Sequence, residues 1–127
     1  MDEAADLGFC SVEYRTGFMI VVIKPGHSIG YAETRVLADH KRDRLGDTQL
    51  GLVIFSPSHA EVEVDLFTRA GTIMEEQGYS FLVIANPSAK HLMMLELMRD
   101  YCSVKLVGTL EEAIEHAEYL VGTGVCG

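Results

Sequence analysis

The residues best suited to chemistry lie in one short run, Ser56-Pro57-Ser58-His59-Ala60-Glu61-Val62. Ser58 and Glu61 have the spacing of a capping box: the hydroxyl accepts from the amide three residues on, and the carboxylate reaches back to the cap. A hydroxyl in that position can also carry a phosphoryl group, whose charge would disrupt or create an interface beside it. Ser56 is the other hydroxyl nearby. The remaining chemistry-bearing residues are scattered. Glu112 and His116 stand one helical turn apart and could supply two metal ligands, but no third is close in sequence, so a surface pair is expected. Cys10, Cys102 and Cys126 form no Cys-x-x-Cys pair, which predicts neither a disulfide framework nor a zinc knuckle and fits a reducing compartment. Cys102 falls at a predicted helix C-terminus, where the helix dipole disfavours the thiolate.

Enzyme motifs do not assemble. No Gly-x-Gly-x-x-Gly follows a predicted strand, and no phosphate-cradling Gly-x-x-x-x-Gly-Lys occurs. A phosphoryl-accepting receiver domain needs a carboxylate at the end of a central strand, whereas Leu50–Phe55 runs into Ser56-Pro57. The expectation is a non-catalytic protein with no cofactor and no metal.

Positioning that run requires an α/β framework. Phe9 to Tyr14 and Phe18 to Ile23 flank Arg15-Thr16-Gly17 and read as a hairpin. Ile29, Ala32, Val36 and His40, with Leu37 beside them, predict a first helix that stops at Leu45-Gly46-Asp47. Its Arg35, Lys41, Arg42 and Arg44 alternate with Glu33, Asp39 and Asp43, the pattern of a solvated face. Leu50 to Phe55 is a continuous apolar run, expected of a strand covered on both faces. Val62, Leu66, Phe67, Ala70, Ile73 and Met74 continue the Ser58 cap as a long second helix to Gly78. A strand over Phe81 to Ala85 then leads through Asn86-Pro87-Ser88 into a third helix, Ala89 to about Tyr101, in which Met94 and Met98 share a core-facing side. Val104 to Val107 is a short strand. Thr109-Leu110-Glu111-Glu112 is a second capping box, opening a last helix with Leu110, Ala113, Ile114, Ala117, Leu120 and Val121 inward. The order is β-β-α-β-α-β-α-β-α, a single domain over residues 8–121 with a mixed sheet whose central strands are parallel and helix-covered. Residues 1–7 and 122–127 are expected to be flexible.

Composition narrows the partners. With 127 residues, 48% hydrophobic and 23% charged, the chain can bury one core. A net charge of −9 repels a phosphate backbone, so nucleic-acid binding is not expected. The longest apolar run, Phe18 to Ile23, cannot span a bilayer, and no basic region precedes an apolar stretch near Met1. A cytoplasmic location without membrane insertion is the corresponding expectation.

Gly78-Tyr79-Ser80-Phe81-Leu82-Val83-Ile84, Val107-Gly108-Thr109-Leu110-Glu111-Glu112-Ala113 and the element order resemble a STAS domain over roughly residues 8 to 121. That is the fold of bacterial anti-sigma factor antagonists. The resemblance implies signal transduction and transcription regulation through a protein partner, an anti-sigma factor or a kinase, docking at the start of the second helix. Carried onto this chain, the partner-binding residues are Ser56, Ser58, His59, Glu61 and Val62. The family's Asp-Ser-Ser/Thr-Gly phosphosite is absent: equal-length alignment sets its hydroxyl near Glu61 or Val62, neither of which can be phosphorylated. Two other readings stand beside this one. The same helix N-terminus could serve as an anion site in a nucleotide or small-molecule sensor, and the open edge of the hairpin could pair with a second copy as a homodimer.

Overall fold

Alternation along Cys10–Arg15 (β2) buries Cys10, Val12 and Tyr14 and turns Ser11, Glu13 and Arg15 partly outward, as a half-covered strand requires. The tight turn Thr16-Gly17, with Gly17 at φ +85°, returns the chain antiparallel into Phe18–Ile23 (β3). β3 is covered on both sides, which its unbroken apolar sequence anticipates. These elements come from a computed structural model that describes residues 3–27, 29–46, 48–57, 70–86 and 104–123.

Beyond the hairpin, Tyr31–Leu45 (α1) crosses over to Leu50–Phe55 (β4), which lies parallel to β3. Ala70–Gln77 (α2) precedes Tyr79–Ala85 (β5), and Val104–Val107 (β6) precedes Leu110–Thr123 (α3). With Glu3–Asp6 (β1), the six strands form one mixed sheet in sequential order, β1 to β6. β1, β2 and β3 pair antiparallel, and β3 to β6 pair parallel.

The sheet divides two apolar layers. On one face Leu37 of α1 and Ile73 of α2 pack over Cys10, Val12, Tyr14, Met19, Val21, Leu52 and Tyr79. On the other, Ala113 and Ala117 of α3 close on Phe18, Ile20, Val53, Phe81 and Val83. The small alanines let α3 approach the strands, and Leu110, Ile114, Leu120 and Val121 flank the contact, as their spacing predicts. A register shift between Leu50 and Gly51 leaves Ser80 as the extra residue of β5, because Leu50 pairs with Tyr79 and Gly51 with Phe81. Tyr79 and Phe81 therefore face opposite layers, where a regular strand would hold them on one side.

Three expectations change. The segment 1–7 is not loose throughout: Glu3–Asp6 is an edge strand, held by the ladder to β2 and by Asp6, whose carboxylate accepts from Gly8 N–H at 2.8 Å and from Lys24. Its partners lie in β2 and beyond, so its own polar sequence does not announce it. Next, α1 buries a different face from the one expected. Leu37, Ala38 and Lys41 point inward, Ile29 precedes the helix, and Val36 is 44% exposed. Finally, Lys41 is only 3% exposed rather than part of a solvated basic face. The observed order among the described residues is β-β-β-α-β-α-β-β-α. The predicted third helix, Ala89 to Tyr101, lies outside them.

Candidate partner-binding site at the carboxyl end of the parallel strands

In a helix-covered parallel sheet the carboxyl ends of the strands are where ligands and partners are usually met. Here β4 ends at Phe55 and delivers Ser56 and Pro57, β5 ends at Ala85 and delivers Asn86, and β6 ends at Val107 ahead of Gly108 and Thr109. Asn86 joins all three. Its side-chain Nδ2 donates to the Ser56 carbonyl at 2.8 Å and lies 3.5 Å from that of Pro57, while its backbone N–H donates to the Val107 carbonyl at 3.0 Å. It does so with φ +58°, a left-handed conformation that asparagine tolerates better than other side chains. In the sequence Asn86 is legible only as the first residue of Asn86-Pro87-Ser88, an Asn immediately after a buried strand.

Beside this brace, Thr109 caps α3. Its Oγ1 accepts from Glu112 N–H at 3.2 Å and donates to the Glu112 carboxylate at 3.3 Å, so the N-cap half of the expected box forms, while the acid meets the hydroxyl in place of the Thr109 backbone N–H. Glu112 is thereby occupied in the cap, and His116 instead stacks with Tyr119 at 6.3 Å between ring centres. Among the described residues no three His, Cys, Asp or Glu side chains gather as a metal site.

Of the five residues expected to meet a partner, the structure describes Ser56; Ser58, His59, Glu61 and Val62 lie outside the described residues. Ser56 is 6% exposed. A kinase would reach its hydroxyl only if the end of β4 opened, whereas Pro57 next to it is exposed.

Among the described residues, groups with displaced acidity lie away from this brace. Burial pushes the Cys10 thiol up to about 11, with Asp6 adding to the rise and Lys24 opposing it. The Asp6 carboxyl is lowered, first by its hydrogen bond from Lys24 and then by that from Gly8. Both residues belong to the β1–β2 flank. Tyr79, at the opposite end of β5, is raised by burial and then by neighbouring Tyr14.

Among the described residues no helix is long and apolar enough to cross a membrane. No protein-family model matches the sequence, and no curated protein matches it. The chain is similar to the crystal structure of a candidate anti-sigma factor antagonist from Thermotoga maritima, with a TM-score of 0.47 and 13% identity over 93% of this chain and 95% of that one.

Proposed function

We propose that this chain is a non-catalytic, cytoplasmic regulatory domain that binds a protein partner at the entrance to its second helix, through the run that begins at the buried Ser56 and continues with the contact residues Ser58, His59, Glu61 and Val62. The reading comes from the sequence resemblance to STAS domains. The observation that supports it most is the Asn86 brace, which fixes the ends of β4, β5 and β6 relative to one another beside Ser56 and Pro57. A docking surface gains affinity from such preorganisation, because less conformational freedom is lost on binding.

Affinity capture with the tagged chain from its native cell tests this reading. A discrete protein partner is expected, with recovery sharply reduced by Ser58→Asp and by Val62→Asp. Lys105→Ala, on the exposed edge strand β6, leaves recovery unchanged. Ser58→Ala is expected to keep the partner and to cost only the helix cap that its sequence spacing predicts, about 1 kcal/mol. Undiminished recovery with both aspartate variants would overturn the placement of the surface.

A further inference from the structure

The two faces of the sheet are unequally covered. α1 and α2 lie on one face, and on the other α3 packs over β4, β5 and β6. Among the described residues no helix lies above β1 and β2 on the α3 side, where Ser11, Glu13 and Arg15 of β2 are half-buried. Two strands span about 10 Å, and an α-helix with its side chains is about as wide, so the uncovered flank is one helix broad. α3 is the wall of this notch and β2 its floor.

Gly17, in the hairpin turn, fixes which side of α3 forms the wall. A Cβ there would lie 2.7 Å from Val121 Cγ1, so Val121 faces the hairpin. At about 3.6 residues per turn, Glu111, Ile114 and Glu118 fall on the same side, whereas Glu112, His116 and Leu120 fall toward β6. The spacing i, i+3, i+7, i+10 makes Glu111, Ile114, Glu118 and Val121 one seam in which carboxylates and aliphatic side chains alternate. Ile114 and Val121 are only partly buried, and Glu111, Glu118 and neighbouring Glu115 are exposed.

Charge selects what can lie there. On the floor the cations are already paired, Arg15 with Glu13 and Lys24 with Asp6, each at 2.5 Å. On the wall, the carboxylates of Glu111, Glu115 and Glu118 meet no cation among the described residues, and α3 has no lysine or arginine of its own. An acidic helix, a phosphate backbone or an anionic membrane is repelled by that wall. A segment that fits must set cations against Glu111 and Glu118 and aliphatic groups against Ile114 and Val121. We propose that this notch docks a basic amphipathic helix of a protein partner, with Lys or Arg alternating with aliphatic residues at the same spacing. The surface includes none of residues 56–62, so it stands or falls independently of the partner-binding reading above.

A labelled synthetic helix with Lys and Leu alternating at that spacing, titrated with the full chain and followed by fluorescence anisotropy, tests the proposal. Saturable binding is expected, weakened by added salt and weakened about tenfold in the double variant Glu111→Lys, Glu118→Lys. A peptide of the same composition in scrambled order, with equal charge, binds about tenfold more weakly. Amide NMR shifts on binding fall on α3 and on Ser11 and Glu13 of β2. The proposal is overturned by no saturable binding, by equal affinity for the scrambled peptide, by full affinity in the double variant, or by shifts confined to other elements. Mass that rises with concentration in the chain alone, and does not in the double variant, assigns the notch to a second copy and likewise overturns it. Should the double variant fail to fold, the wild-type shift map and the scrambled peptide decide the matter.

Discussion

Asn86 donates from its side-chain amide to the carbonyl of Ser56 at 2.8 Å while its own backbone holds a left-handed φ of +58°. Two separable contributions follow from that pair. Asn86→Gly keeps the backbone conformation and loses the hydrogen bond, at about 1 kcal/mol. Asn86→Ala loses the bond and adds left-handed strain, for a total of about 2 kcal/mol. Urea unfolding of both variants measures the difference; equal losses would show that the backbone at this position is unstrained.

Gly51 of β4 lies beneath the ring of Phe81 on β5. A Cβ at Gly51 would sit 1.9 Å from Phe81 Cζ, and the rest of the ring edge is nearly as close. Because the two residues are paired in the ladder, neither can slide away without breaking it. Gly51→Ala is expected to cost about 3 kcal/mol through overpacking. Adding Phe81→Leu recovers part of that loss, although Phe81→Leu alone is destabilising. A double-mutant cycle on denaturation midpoints reads this non-additivity, and purely additive losses would rule out the steric conflict.

Tyr14 and His40 couple β2 to α1. Their rings stack at 5.6 Å with 8° between the planes, and the Tyr14 hydroxyl lies 2.6 Å from His40 Nδ1. Tyr14→Phe retains the stack and removes only the hydroxyl, so the loss isolates the hydrogen bond at about 1 kcal/mol. In the His40→Phe background the same substitution has little effect. An undiminished cost there would place the hydroxyl's stabilising contact on another residue.

Alkaline pH is expected to weaken the fold. The Cys10 thiol is pushed up from 9.0 to about 11 in the native state, chiefly by burial, so between those values the folded protein holds a proton that the unfolded chain has released. Stability must therefore fall as pH rises across that window, by at most about 1.4 kcal/mol per pH unit for one group. Tyr79, raised in the same direction, continues the fall at higher pH. Cys10→Ala flattens the decline between pH 9 and 11 in denaturant titrations, and a slope identical to wild type would show that Cys10 is not its source. The same burial makes Cys10 unreactive toward thiol reagents in the native state at neutral pH.

Much of the fold is legible locally. The strands at Phe18–Ile23, Leu50–Phe55 and Val104–Val107, the end of α1 at Gly46, the Thr109–Glu112 cap and the inward face of α3 all follow from apolar runs, periodicity and caps. Each of those signals is complete within about two turns of helix or one strand. The candidate site was legible only as a run of residue types around Ser56; neither the burial of Ser56 nor the Asn86 brace could be read there, because Asn86 meets Ser56 across 30 residues of chain.

Tertiary pairing decided the rest. Glu3–Asp6 is a strand because β2 offers it an open edge, not because its sequence favours one. The face of α1 that turns inward was undetermined, since its few apolar residues fit more than one side of a 3.6-residue period; the sheet selected Leu37, Ala38 and Lys41. Lys41 itself reads as one more surface cation until Gly78 and the Tyr79 ring, 37 and 38 positions further on, close around it. Apart from the edge strand β1, the sequence by itself determined which of the described segments become strands and helices, because apolar runs, caps and amphipathicity are short-range signals. Only the packed structure decided which polar groups are buried together, because that depends on neighbours brought in from far along the chain.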